Sequence, residues 1–218
     1  MTIKTKALVL DLDDTLYAEI SYLKSAYRFI ATQLTEQPIA LTNKMLEQYY
    51  QGINVFENLV QNYNVDITKL LDWYRFHQPE IHLFANVNDT LQEFSSLYKY
   101  AVITDGRSKT QRNKIKALGL NHYLDSVIIS EEIGSEKPSL ENYHKVMSDL
   151  QCDQYLYIGD NLKKDFITAK KLGWITICLK DQGQNIHKQN FSLSEEYHAH
   201  YCFESWSEIN SFLSMDKI

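Results

Sequence analysis

Two styles of apolar spacing divide the chain. From Ser21 to about His77 the apolar positions recur only at helical spacing: Tyr22, Leu23, Ala26, Tyr27, Ile30 and Leu34 form one stripe, Met45, Tyr49 and Ile53 begin a second, and Leu70, Leu71 and Tyr74 mark a third. Pro38 and Pro79 punctuate this stretch. Elsewhere short, continuously apolar runs alternate with amphipathic segments. The runs Ala7–Leu10, Tyr100–Thr104, Val127–Ile129, Tyr155–Ile158 and Ile175–Cys178 read as strands, with Tyr201–Phe203 as a further one. Helices are expected over Thr90–Leu97, Lys109–Leu118, Leu140–Leu150, Lys163–Leu172 and Trp206–Leu213. Ser108 with Gln111 has the spacing of a capping box, and Gly119 and Gly173 stand where left-handed helix ends belong. Strands that are apolar throughout and separated by helices predict a parallel sheet covered on both faces. The expectation is an α/β sheet domain interrupted after its first strand by a helical insert of roughly 60 residues.

Composition narrows the chemistry. The 218 residues carry 22 Lys+Arg against 28 Asp+Glu, a formal net charge of −6, with no basic block, which argues against nucleic acid as a partner. The seven glycines lie too far apart for either a G-x-G-x-x-G or a G-x-x-x-x-G-K-[ST] loop, so any phosphate must be held without a glycine cradle. Cys152, Cys178 and Cys202 match neither a disulfide framework nor a zinc site, and free thiols are expected. The first apolar run ends at Asp11, too short for a leader or a membrane span, and a cytoplasmic protein away from membranes is the expectation.

In open parallel sheets the site lies beyond the carboxyl ends of the strands. Asp11, Asp13, Asp14 and Thr15 follow the first strand. Thr104, Asp105 and Gly106 close the second, and Gly159, Asp160, Asn161 and Asp165 follow the fourth. Lys137 lies in the loop after the third. So many carboxylates share a small site only if cations separate them, and Mg2+ suits carboxylate oxygens plus a substrate phosphate.

Four segments in order, Val9-Leu10-Asp11-Leu12-Asp13-Asp14-Thr15-Leu16-Tyr17, Val102-Ile103-Thr104-Asp105-Gly106, Glu136-Lys137-Pro138 and Ile158-Gly159-Asp160-Asn161-Leu162-Lys163-Lys164-Asp165, resemble the motifs of the haloacid dehalogenase superfamily. The resemblance runs from residue 6 to about 213. It implies a Rossmann-like core over 1–16 and 84–218 with an α-helical cap over 17–83. It further implies that Asp11 is a nucleophile forming an aspartyl-phosphate, with Asp13 as acid and base. Asp11, the carbonyl of Asp13, and Asp160 would hold Mg2+. Thr104 and the backbone near Asp105 and Gly106 would bind phosphoryl oxygens, with Lys137 balancing their charge. Asp165 would support the ion or Lys137, and Arg107 is a candidate substrate contact. Relatives that dehalogenate acids lack an aspartate at the position of Asp13. The resemblance thus implies a Mg2+-dependent phosphatase acting on a small phosphomonoester, a sugar phosphate or nucleotide. The alternatives are a phosphosugar mutase sharing the aspartyl-phosphate and a phosphate-binding module without turnover.

Two departures carry their own expectations. Asn86 stands where related chains often have glycine, and is expected to take a left-handed backbone. Asp105 stands where asparagine is common, and its charge is expected to face away from the phosphate. His77 and His82 flank Pro79 and are possible substrate contacts, while the tyrosines of the insert read as packing groups.

Overall fold

The computed structural model describes residues 5–215, so residues 1–4 and 216–218 of the expected core lie outside the described residues. Strands β1 (Lys6–Leu10), β2 (Tyr98–Thr104), β3 (Leu124–Ile129), β4 (Gln154–Gly159), β5 (Ile175–Leu179) and β6 (Tyr201–Phe203) form one parallel sheet in the order β3-β2-β1-β4-β5-β6. The helices are α1 (Glu19–Leu34), α2 (Pro38–Tyr50), α3 (Val55–Asn62), α4 (Ile67–Phe76), α5 (Val87–Glu93), α6 (Ser108–Ala117), α7 (Ser130–Ile133), α8 (Leu140–Leu150), α9 (Phe166–Lys171) and α10 (Trp206–Leu213). None of them is long and apolar enough to cross a membrane.

Successive side chains of a strand point to opposite faces, and β1 uses both. Leu8 and Leu10 join Tyr100, Val102, Leu156 and Ile158 under Ile115 of α6, Leu118 just past its end, and Trp206, Ile209 and Leu213 of α10. Ala7 and Val9 join Ala101, Ile103 and Tyr157 under Tyr143 and Val146 of α8 and Phe166 and Ala169 of α9. This double burial is why the central strands read as unbroken apolar runs.

Between β1 and β2, α1 to α4 bury an apolar cluster of their own, built from Leu23, Tyr27, Ile30, Leu41, Met45, Leu59 and Leu70. Tyr17, Tyr22 and Ile81, at the edges of this stretch, pack instead with the sheet cluster. The second stripe is corrected here. Met45 and Tyr49 lie on α2, but the helix ends at Tyr50 and Ile53 is exposed beyond it. A separate helix, α3, then starts at Val55, capped by Asn54, whose side chain accepts a hydrogen bond from Glu57 N at 3.2 Å.

Gly119 and Gly173 take the left-handed backbone expected at helix ends. The capping box is not formed: Ser108 is the first residue of α6, its hydroxyl donates to Glu132, and Gln111 turns toward the sheet. Asn86 is left-handed, at φ 68° and ψ −5°, immediately before α5. A β-branched residue pays a steric cost there that glycine escapes. Asn86→Val is expected to lower unfolding stability by about 1–2 kcal/mol and Asn86→Gly by much less, as read from urea denaturation.

Candidate active site

The strand order reverses between β1 and β4, and the crevice beyond that point gathers the acidic residues. Asp11 N donates to Ile158 O at 2.9 Å, which seats the end of β1 against the end of β4. Asp11, Asp160 and Asp165 each place a carboxylate oxygen within 4.8 Å of the others, all three buried. Lys137 comes in from the loop after β3 and holds the group together. Its Nζ donates to Asp11 Oδ1 at 2.6 Å and Asp165 Oδ1 at 2.7 Å. The Tyr157 hydroxyl accepts from Lys137 Nζ at 3.3 Å and donates to Asp165 Oδ1 at 3.1 Å. Asp165 Oδ2 accepts from Asn161 N at 2.8 Å, so both its oxygens are committed to protein donors. A Cβ on Gly159 would lie 2.4 Å from that Oδ2, and this is why the residue before Asp160 has no side chain.

Burial would lower the Lys137 ammonium, but the charges of Asp11 and Asp165 outweigh it and keep the lysine protonated. Burial pushes Asp11 up to about 7, with Asp165 and Asp13 adding to the rise and Lys137 opposing it. Asp160 is likewise raised by burial and by the charges of Asp11 and Asp165. Burial also carries Asp14 up to about 6 and Glu19 up to about 8. These are carboxylates short of positive charge. Asp11 Oδ2 accepts only a 3.3 Å hydrogen bond from Thr15, and Asp160 is held through Oδ2 alone, by Asn185 at 2.8 Å. Asp11 and Asp160 thus keep hard oxygen donors that few protein groups satisfy, and such donors suit a divalent cation.

Asp13 is in a different position. Burial would raise its pKa, but the Lys114 charge and hydrogen bonds from Lys114, Tyr17 and Gln111 hold it below the usual value. Lys114 Nζ donates to Asp13 Oδ1 at 2.7 Å and Gln111 Nε2 to Oδ2 at 2.8 Å. Gln111 Nε2 also reaches Thr104 Oγ1 at 2.5 Å. Sequence reasoning missed Gln111, Lys114, Tyr17, Tyr157 and Glu19. No sequence signal separates Gln111 and Lys114 from the other polar residues of α6.

A cavity of about 190 Å³ is lined by Asp11, Asp13, Thr104, Lys137 and Asp160, with Glu19 from the start of α1 on its rim. Other expected residues fall differently. Asp105 does not face away: it lines the cavity, its Oδ1 accepting from Lys137 N at 3.0 Å and its Oδ2 paired with Lys164 at 2.8 Å, which offsets its charge. Gly106 N donates to Ser130 Oγ at 2.9 Å. Arg107 lies outside the cavity, ion-paired with Glu131 at 2.7 Å on the surface. His77 is buried among Tyr74 and Ser25, and His82 is exposed; neither lines the cavity.

The chain matches the haloacid dehalogenase-like hydrolase family over residues 8–179. It is 29% identical over 208 residues to glyceraldehyde 3-phosphate phosphatase of Methanocaldococcus jannaschii, covering 86% of this chain and 90% of the relative. The enzyme of the same name from Methanothermobacter thermautotrophicus is 25% identical over 195 residues, covering 81% and 86%. The magnesium-bound structure of the HAD-hydrolase YfnB from Bacillus subtilis shares the fold with a TM-score of 0.68 at 19% identity, over 97% of this chain and all of that one. Family match and parallel-sheet architecture agree, and the protein belongs to the haloacid dehalogenase-like hydrolases.

Proposed function

We propose that the protein is a Mg2+-dependent phosphatase of a small phosphomonoester, a sugar phosphate or nucleotide, that works through an aspartyl-phosphate under a cap formed by residues 17–83. The observation that carries this is Asp11 in the switch-point crevice, with Oδ1 fixed by Lys137, a carboxylate oxygen within 4.8 Å of Asp160, and Asp13 two residues on. The archaeal relatives named as phosphatases of a three-carbon sugar phosphate support the substrate class.

Asp11, Asp160 and the Asp13 carbonyl would hold Mg2+, which supplies charge neutralisation between carboxylate and phosphate. Asp11 Oδ2 attacks phosphorus, the P–O bond to the leaving alcohol breaks, and Asp13 gives that oxygen its proton. Asp13, now a carboxylate, takes a proton from water as the water oxygen attacks phosphorus. The Asp11–phosphorus bond breaks, releasing inorganic phosphate. Lys137 and Thr104 fix the phosphoryl oxygens throughout. Asp13 rests as a carboxylate, and the charge of an incoming phosphate favours its protonation.

Purified protein is expected to release phosphate from a phosphoester panel with Mg2+ and to stop when the ion is chelated. Asp11→Asn should leave no measurable turnover, and Asp13→Asn should lower kcat by about 10²–10⁴-fold. Full activity in either variant, or indifference to chelation, rejects the reading.

The acid cluster sets a second expectation. Carboxyl groups whose folded pKa is raised impose no penalty below the ordinary carboxylate range of about 4, and cost stability as pH rises through the folded values, about 6 to 8 here. A cation bound among them restores what is lost. Mg2+ should therefore raise the unfolding temperature more at about pH 8 than at about pH 5, as measured by differential scanning fluorimetry. An equal shift at both would show that the ion does not sit among these groups.

A further inference from the structure

We propose that Gln111 and Lys114, one turn apart on α6, are positioning residues that aim the Asp13 carboxylate at the leaving-group oxygen; the inference rests on the phosphatase reading of the site. Helix α6 is a polar helix, Ser-Lys-Thr-Gln-Arg-Asn-Lys-Ile-Lys-Ala, yet Gln111 and Lys114 are 1% and 4% exposed. A buried ammonium is costly unless paired, and a structural role alone would be served as well by an apolar side chain. The carboxylate partner of Lys114 is Asp13, at 2.7 Å. Its Nζ also lies 4.5 Å from the ring centroid of Tyr22, a cation–π contact that adds to its pairing.

Gln111 holds the other side. Its Nε2 is within 2.8 Å of Asp13 Oδ2, 2.5 Å of Thr104 Oγ1 and 3.2 Å of Asp105 O, so one amide ties the loop after β1 to the end of β2. Gly106 leaves room for it, since a Cβ there would approach Gln111 Cδ to 3.2 Å. Asp13 Oδ2 is thus set by Gln111 and Oδ1 by Lys114 together with the Tyr17 hydroxyl from the loop after β1, so α6 reaches both oxygens, and side chains on rigid elements hold a reacting group more accurately. The same turn of α6 is itself fixed from the insert: Thr110 Oγ1 donates to Arg75 O at 3.2 Å and Asn113 Nδ2 to His77 O at 3.4 Å. Neither Gln111 nor Lys114 lines the cavity, so both act on the reaction through Asp13 and Thr104.

A misaimed proton donor matters most when the leaving group is a poor one. kcat/KM reports the steps through leaving-group departure, so it is compared for glycerol 3-phosphate, whose alkoxide needs a proton, and 4-nitrophenyl phosphate, whose phenolate leaves without one. Lys114→Met and Gln111→Met are expected to lower kcat/KM for the alkyl ester by about 10²-fold and for the aryl ester by less than about 10-fold, with Asp13→Asn showing the same bias more strongly. Lys114→Arg, which keeps the cation, should recover part of the loss. Circular dichroism establishes that each variant is folded; if Lys114→Met does not fold, Gln111→Met carries the comparison. Equal losses on both esters, or no loss on either, overturn the positioning role. An unbiased Asp13→Asn overturns Asp13 as the proton donor and this inference with it, whereas a wild-type protein that releases phosphate from no member of the phosphoester panel overturns the phosphatase reading itself.

Discussion

The buried contact of Lys137 with Asp11 and Asp165 is the interaction on which the site depends. Three carboxylates from the ends of two adjacent strands bring oxygens within 4.8 Å of one another, and without a cation inside the cluster their repulsion would force the loops apart. Lys137 supplies that cation from a third loop, so one side chain joins the segments after β1, β3 and β4. Removing the lysine would leave its partners buried and unpaired, the costly way to break an ion pair, on the order of 3–5 kcal/mol. The neighbouring residues are shaped to this contact. Tyr157 braces it from within β4, and Gly159 has no side chain because the Asp165 carboxylate fills the space where one would go.

The sheet makes the convergence possible. Chain connections run outward from β1 through β2 to β3, then return to the other side of β1 for β4, β5 and β6. Loops leaving β1 and β4 therefore diverge and open a crevice between them. Both strands are apolar on both faces, so their registers are held by packing from above and below, and a slip of one residue would turn every side chain to the wrong layer. The carboxylates sit on loops, but the loops are anchored to two central strands packed on both faces.

These same features made much of the fold legible in the sequence. Central parallel strands leave unbroken apolar runs, and the acidic residues stand directly after them, so strand positions and the acidic cluster could both be read. Asn86 was legible because few side chains tolerate the left-handed backbone it adopts. What escaped was encoded in three dimensions only. Gln111 and Lys114 are buried polar residues on a polar helix, and periodicity cannot distinguish them from solvated neighbours such as Arg112 and Lys116. Gln111 even matched a capping pattern with Ser108, but its amide donates to Asp13 Oδ2 and Thr104 Oγ1 instead of serving the helix end. Arg107 followed the right turn and still found Glu131 on the surface, since sequence adjacency does not fix the direction of a side chain. Helix α3 is short, and its apolar positions Val55 and Leu59 serve the insert's cluster without making a long stripe.

Two aspartates only two residues apart thus meet opposite environments, and the difference lies in how positive charge is shared. Asp13 has Lys114 to itself, with Tyr17 and Gln111 completing its shell, and burial does not stop it from resting as a carboxylate. Asp11 is pushed up to about 7 by burial, with the charges of Asp165 and Asp13 adding to the rise, and the Lys137 it shares with Asp165 only partly opposes it. Where environments push two neighbouring acids in opposite directions, their roles are set apart as well. The under-compensated pair, Asp11 and Asp160, is where a divalent cation gains most by binding, and placing it there leaves Asp13 free of the metal through its side chain. The number of lysines inside the site is therefore as informative as the number of aspartates. One more cation beside Asp11 would satisfy the cluster without a metal, and one fewer beside Asp13 would leave its carboxylate unaimed.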